Sequence, residues 1–166
     1  NGDLDGAIAS YRRALQFRPD FAEAHNNLGD ALKDQGVMDG AIARYQRALQ
    51  INPNYSEAHN NLGNALEGKD DLDGAIASYR QALEINPDLA EAHNNLGNAL
   101  KAKDDLDGAI ASYRQALQIR PAFAEAHYNL GGAHKDNGDM DSAIASYRCA
   151  LQIRSDYPEV HISLGH

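Results

Sequence analysis

The sequence repeats itself every 34 residues, and this period limits its fold more than any other feature. Ala-Glu-Ala-His begins at Ala22, Ala90 and Ala124, and the related Ser-Glu-Ala-His begins at Ser56. These starts define four full repeats without insertions, at 22–55, 56–89, 90–123 and 124–157. Residues 1–21 are the second half of an earlier repeat, and residues 158–166 begin a further one. Units of this length bury their apolar faces by stacking on neighbours, so we expect a single array over residues 1–166.

Two apolar stripes with helical spacing recur in each repeat. In 22–55 the first stripe is Ala24, Leu28, Ala31 and Leu32, and the second is Met38, Ala41, Ile42, Tyr45, Ala48 and Leu49. Both fit a helical period, and neither alternates as a strand would. Gly36 between the stripes favours a left-handed turn, and Asp70 and Asp104, which replace it, tolerate that conformation better than most residues. The pattern predicts an all-α fold with about nine helices.

A glycine stands near the middle of each first helix, where it costs about 1 kcal/mol relative to alanine. These glycines are Gly29, Gly63, Gly97 and Gly131. Because the cost recurs in every repeat, we expect each glycine to allow two helices to approach closely. The tyrosines of the second helices are expected to fill the space between neighbouring repeats; they are Tyr11, Tyr45, Tyr79, Tyr113 and Tyr147.

The pattern of large and small residues resembles the tetratricopeptide repeat (TPR) family. In 22–55 the matching residues are His25, Leu28-Gly29, Leu32, Ala41, Tyr45, Ala48 and Pro53. The resemblance implies an α-solenoid, a right-handed superhelix of antiparallel helix pairs. It places the first helices on the concave face and the second helices on the convex face.

Composition excludes several classes of function. The formal net charge is −9 and the pI is about 5.1, which is not typical of nucleic-acid binding. No apolar run reaches the ~18 residues of a membrane span. A single cysteine, Cys149, excludes an internal disulfide, and no signal peptide is visible, so we expect a cytoplasmic protein. The chain begins at Asn1 and ends within a predicted helix, so we expect a piece of a longer protein.

No residue pattern indicates a catalytic residue, a metal site or a cofactor. The segment 63–69 is close to a phosphate-binding loop, but Asp70 follows where Ser or Thr would hold magnesium. A ladder of histidines recurs at His25, His59, His93, His127 and His161. Equivalent positions on stacked helices are roughly 8–10 Å apart, too far for neighbours to bind one ion. We therefore expect this chain to have no enzymatic activity of its own.

Carboxamides dominate the polar positions of the first helices. The position before the Leu-Gly pair is occupied in the four repeats by Asn27, Asn61, Asn95 and Asn129. The position before that is occupied by Asn26, Asn60, Asn94 and Tyr128. One turn later stand Asn64 and Asn98, with Asp30 and Gly132 in the other two repeats. On a helix these positions share one face. A carboxamide pairs with any peptide group, and rungs about 10 Å apart match three residues of extended chain. The pattern predicts a groove that binds extended polypeptide; the alternative is that these residues only bond neighbouring helices.

The asparagine ladder resembles the repeat region of O-linked N-acetylglucosamine transferase and Spindly-like proteins. In that family the Asn before the Leu anchors the backbone of extended substrates, and Asn27, Asn61, Asn95 and Asn129 match it. The last repeats are similar too: His134-Lys135-Asp136, 143–148, Pro158 and His166 match, whereas Gly131, Gly165 and Ser155 depart. Two functions stay open. One is a general interaction scaffold, and the other is the substrate-recognition arm of a glycosyltransferase whose catalytic domain is absent here.

The two ends of the chain are expected to expose apolar surface, since each lacks a neighbouring repeat. At the N-terminal end this surface would include Ile8, Tyr11 and Leu15, and at the C-terminal end Val160 and Leu164. Unlike surfaces that fit each other propagate rather than close. The sequence therefore predicts head-to-tail self-association.

Overall fold

A computed structural model describes residues 2–164, with side chains for 4–163. By contact density the chain divides into two units, one ending at Pro87 and one beginning at Asp88. Unit 1 contains α1 (Gly2–Phe17), α2 (Ala22–Asp34), α3 (Met38–Ile51), α4 (Ser56–Glu67) and α5 (Leu72–Ile85). Unit 2 contains α6 (Ala90–Ala102), α7 (Leu106–Ile119), α8 (Ala124–Asp136), α9 (Met140–Ile153) and α10 (Pro158–Leu164).

The described residues form ten helices and no strand, which confirms the all-α prediction. The count is close to the expected nine and includes α10, which lies where the sequence predicted the first helix of a further repeat. Consecutive helices form antiparallel pairs, α2 with α3 and α4 with α5 in unit 1, and α6 with α7 and α8 with α9 in unit 2. No helix among residues 2–164 is long and apolar enough to cross a membrane.

The turns inside the repeats adopt the left-handed conformation that their residues predict. Gly36 and Gly138 have φ values of 83° and 80°, and Asp70 and Asp104 have 65° and 64°. After this turn, Asp71, Asp105 and Asp139 cap the second helices by accepting a hydrogen bond from a backbone N–H of the first turn. Val37 holds the same position before α3 and supplies no side-chain cap.

Each mid-helix glycine lies directly against a tyrosine ring, which confirms the predicted close approach. A Cβ on Gly29, Gly63 or Gly97 would lie 2.5 Å from Cε1 of Tyr45, Tyr79 or Tyr113 respectively. The tyrosine and its glycine belong to the same repeat. The ring therefore closes the helix pair that carries it, and it also packs towards the next repeat: Tyr45 shares a core cluster with Ala65, and Tyr147 shares one with Val160.

The apolar stripes of the terminal helices are largely covered, which corrects the prediction for the ends. Ile8 is only 5% exposed because it packs in the cluster of Leu28 and Leu32, and Tyr11 and Leu15 are half-buried against that cluster. Val160 is fully buried in the unit 2 cluster that contains Tyr147, Ala150 and Tyr157.

The apolar side chains that do stand in solvent near the ends are Phe17 and Ile162, 80% and 76% exposed. The side chain of Leu164, and Gly165 and His166, lie outside the described residues. Head-to-tail self-association stays a prediction.

Candidate functional site

The first-helix carboxamides form two rows that differ in burial. The inner row is Asn26, Asn60, Asn94 and Tyr128, and the outer row is Asn27, Asn61, Asn95 and Asn129. The three inner asparagines are buried, and Asn94 is only 1% exposed. In the outer row Asn27 is exposed and the other three are half-buried. Burial separates the two rows that sequence alone treated as one surface.

Hydrogen bonds join the rows between successive repeats. In unit 1, Asn61 Nδ2 donates to Asn26 Oδ1 over 3.1 Å. In unit 2, Asn129 Nδ2 donates to Asn94 Oδ1 over 3.0 Å. Each bond links the outer residue of one repeat to the inner residue of the repeat before it. The bond orients the outer carboxamide, whereas an exposed Asn side chain without such a bond can rotate.

The inner asparagines also use their own N–H groups. Asn26 Nδ2 donates to Asn27 Oδ1 and Asp30 Oδ2, at 3.4 and 3.5 Å. Asn94 Nδ2 donates to Glu125 Oε1 over 3.4 Å. Buried amides need such partners, because an unpaired buried polar group costs free energy. The inner asparagines Asn26 and Asn94 therefore hold the outer residues Asn61 and Asn129 of the next repeat.

A third row, Asp30, Asn64, Asn98 and Gly132, meets the tyrosines that pack on the glycines. The hydroxyl of Tyr45 donates to Asp30 Oδ1 over 2.7 Å. Tyr113 donates to Asn98 Oδ1 over 2.8 Å. The Tyr79 hydroxyl lies 2.8 Å from both Asn64 Oδ1 and Glu67 Oε2. Sequence reasoning missed this role, because it placed Asn64 and Asn98 among the ligand-binding residues. Both are half-buried, and the side-chain oxygen of each accepts a hydrogen bond from a tyrosine hydroxyl.

Tyrosine ionisation is suppressed at these positions. Burial, followed by the hydrogen bond to the Asp30 carboxylate, raises the pKa of Tyr45 far above its usual range. Burial and the neighbouring Glu67 do the same to the pKa of Tyr79. Both hydroxyls thus stay protonated and keep donating their hydrogen bonds.

The histidine ladder has a structural role in four of its rungs. The Nε2 atoms of His25, His59 and His127 lie 3.0 Å from the carbonyl oxygens of Pro19, Pro53 and Pro121. His161 Nε2 lies 3.1 Å from the Ser155 carbonyl oxygen. Each of these rings ties a first helix to the turn before it. Among the described residues there is no group of three or more His, Cys, Asp or Glu that could hold a metal ion.

Family models of the TPR repeat match residues 1–36, 29–70, 69–104 and 97–138, and a tetratricopeptide repeat model matches 124–157. The chain belongs to the tetratricopeptide repeat family. No curated protein sequence matches the chain.

Solved TPR structures share the fold along nearly the whole chain. A crystal structure of MamA is 28% identical, covers 95% of this chain and 92% of its own, and has a TM-score of 0.84. YrrB, described as a TPR protein with an unusual peptide-binding site, is 22% identical over 99% of this chain and 85% of its own, with a TM-score of 0.81. TTC0263, a thermophilic TPR protein of Thermus thermophilus, is 24% identical over 98% and 89%, with a TM-score of 0.79.

Proposed function

We propose that this TPR chain is a protein-interaction scaffold that binds extended polypeptide along the outer row, Asn27, Asn61, Asn95 and Asn129. Family membership supports the scaffold role. The observation that carries the finer proposal is the pair of bonds from Asn61 to Asn26 and from Asn129 to Asn94. They orient the carboxamides of Asn61 and Asn129, so a ligand does not have to order these two side chains on binding.

The chemistry of an oriented carboxamide suits a peptide backbone. The bond to the inner row uses one N–H of Asn61 and leaves a second N–H and a carbonyl oxygen, one donor and one acceptor. A peptide unit presents the same two groups with opposite roles. Contacts of this kind read the backbone and make little demand on the side chains of the partner.

The test replaces Asn27, Asn61, Asn95 and Asn129 together with Ala and measures binding of unstructured segments displayed on a peptide array, followed by fluorescence anisotropy of the strongest segments. Each lost neutral hydrogen bond contributes about 0.5–1.5 kcal/mol, so four should weaken binding by well over tenfold. Circular dichroism reports whether the helices stay folded.

A matched control removes carboxamides from another face. Gln50, Gln118 and Gln152 are exposed on the second helices, and their triple Ala variant should bind the same segments as the parent. Equal affinity for the parent and the folded quadruple variant would contradict the proposal, and so would an array without any bound segment.

The transferase alternative rests on the sequence resemblance at Asn27 and its equivalents and at His134. The structure places His134 in the interior, with Nδ1 3.6 Å from Asp139 Oδ2. This is a packing position, so the substrate-arm function stays a prediction about the parent protein. Finding a nucleotide-sugar-binding domain after residue 166 in the parent sequence would support it.

A further inference from the structure

A cavity of about 500 Å³ lies in unit 1, away from the three first-helix rows. It is lined by Pro53 and Asn54 from the turn between α3 and α4, and by Gln81, Glu84 and Ile85 from the C-terminal half of α5. Pro53 and Ile85 supply apolar walls, and Asn54 and Glu84 supply oxygen acceptors. The Asn54 backbone N–H donates to Asn52 Oδ1 over 3.2 Å, which holds the turn.

The preceding repeat shows what fits between these elements. A shift of 34 residues maps Asn54, Gln81 and Glu84 onto Asp20, Arg47 and Gln50. There the Arg47 guanidinium bridges the turn and the helix: Nη2 donates to Asp20 Oδ1 over 2.8 Å, and Nη1 donates to Gln50 Oε1 over 3.3 Å. The first repeat thus fills the equivalent space with a guanidinium of its own.

The second repeat keeps an oxygen acceptor on the turn and another on the helix, and it loses the cation. On the turn the Asn54 carboxamide replaces the Asp20 carboxylate. Gln81 stands in place of Arg47 and is shorter; its Nε2 donates to Glu84 Oε2 over 2.9 Å and does not bridge to the turn. The acceptor on the helix becomes stronger, because a Glu84 carboxylate replaces the Gln50 carboxamide. A carboxylate beside a carbonyl oxygen prefers a planar cationic donor.

We propose that this cavity is a binding site for an arginine side chain of a partner polypeptide. The guanidinium takes the place that the Arg47 guanidinium occupies in the preceding repeat. It donates to the Glu84 carboxylate and to the side-chain oxygen of Asn54, which stands where Asp20 Oδ1 accepts from Arg47. The aliphatic stem packs on Pro53 and Ile85, as arginine stems do on apolar surfaces. An arginine suits the site better than a lysine, because the planar guanidinium is more weakly hydrated and presents N–H donors on several edges, as Arg47 uses them one repeat earlier.

The test titrates the whole chain with N-acetyl-L-arginine amide and follows the amide signals of Asn54, Gln81 and Glu84 by NMR. N-acetyl-L-citrulline amide, which is neutral and of nearly the same shape, is the reference ligand. We expect the arginine compound to shift these signals and to bind at least about tenfold more tightly than the citrulline compound, the usual gain for a hydrogen bond to a charged group.

Two variants probe the site itself. Glu84→Gln should reduce the affinity for the arginine compound to that for the citrulline compound. Gln81→Arg should abolish the shifts, because the new side chain bridges Asn54 and Glu84 as Arg47 bridges its neighbours. Cys149→Arg adds the same charge at the equivalent position of the fourth repeat and should leave the binding unchanged.

Three results would overturn the proposal. They are equal shifts with arginine and citrulline compounds, shifts that persist in Gln81→Arg, and shifts confined to the outer-row asparagines. Both substitutions at the site should leave the fold intact, because Gln81 and Glu84 are exposed. Arg47, which Gln81→Arg reproduces, is exposed as well.

Discussion

The two units contain the same repeat but treat the third row differently. In unit 1, Asp30 and Asn64 each accept a hydrogen bond from a tyrosine hydroxyl. In unit 2 Asn98 does so, whereas Gly132 has no side chain to offer. The Lys101 ammonium lies 3.2 Å from where a Gly132 Cβ would stand, and it pairs with Asp136 over 2.9 Å.

An aromatic cluster takes over in the fourth repeat. The Tyr128 ring lies 5.8 Å from the Tyr147 ring and 5.3 Å from the Tyr157 ring, centre to centre. Gly131 nevertheless still contacts Tyr147, as Gly29 contacts Tyr45. The comparison teaches that the glycine–tyrosine packing is kept in all four repeats, while the polar partner of the tyrosine varies.

The prediction with the largest expected effect compares how much stability is lost in each unit when a methyl group is added to the glycine that contacts a tyrosine ring. Gly63→Ala in unit 1 and Gly97→Ala in unit 2 place a Cβ 2.5 Å from a tyrosine Cε1. We expect each to lower the free energy of unfolding by about 1–3 kcal/mol, the usual cost of overpacking. Chemical denaturation measures it.

Gly132→Ala is the matched control inside unit 2. Its Cβ would lie 3.2 Å from the flexible end of Lys101 and 3.9 Å, an ordinary contact distance, from the Tyr147 hydroxyl oxygen. Better helix propensity should therefore leave stability unchanged or raise it by up to about 1 kcal/mol. Equal stability of the Gly97→Ala and Gly132→Ala variants would refute the difference between the two positions.

A second prediction concerns alkaline pH. The pKa of Tyr79 is raised from its ordinary value of 10.0 by burial and by Glu67, so above pH 10 the unfolded chain loses a proton that the folded chain keeps. Unfolded molecules then bind fewer protons, and the free energy of unfolding falls by about 1.4 kcal/mol per pH unit for each such tyrosine. Below pH 10 this contribution does not vary.

Denaturation curves between pH 8 and about pH 11 check the sign and the slope. Tyr79→Phe and Tyr45→Phe should each flatten the alkaline decline. Tyr147→Phe in unit 2 should flatten it less, because a hydrogen bond with Ser163 counteracts the burial that raises the pKa of Tyr147. An unchanged slope in the Tyr79→Phe variant would show that this hydroxyl ionises normally in the folded state.

The smallest expected effect concerns the missing cap in unit 1. Asp105 accepts a hydrogen bond from the Gly108 N–H over 2.9 Å, and Asp105→Ala should cost about 1 kcal/mol. Val37→Asp should gain up to about the same amount, because it supplies the equivalent cap to α3. Thermal denaturation compares them. Val37→Asn separates the cap from the added charge, and a gain confined to Val37→Asp would assign the effect to charge alone.

Features of the fold that follow from the type of a single residue could be predicted from the sequence. Gly36 and Asp70 indicated the left-handed turns, and Gly29 indicated a close helix contact. The sequence did not predict the burial of Ile8 and Val160, because a stripe without a following repeat still packs on the repeat that is present.

The site was harder to predict than the fold. In the sequence Asn26 and Asn61 are equal carboxamides, and only distances between helices show that one is buried and accepts a bond from the other. The open pocket beside Gln81 was missed for a similar reason. It appears only when the space around Gln81 is compared with the space that Arg47 fills one repeat earlier.

The hydrogen bond from Asn61 to Asn26 spans 35 residues, and the histidine bonds to the turns span six. Contacts of this range make the chain modular, because each 34-residue block depends on itself and on the block beside it. Duplicating block 22–55 supplies each copy with the glycine, tyrosine and histidine it needs, so length can change by gene duplication without redesigning an interior. Stability in such a chain grows block by block, and a partner-binding surface grows with it.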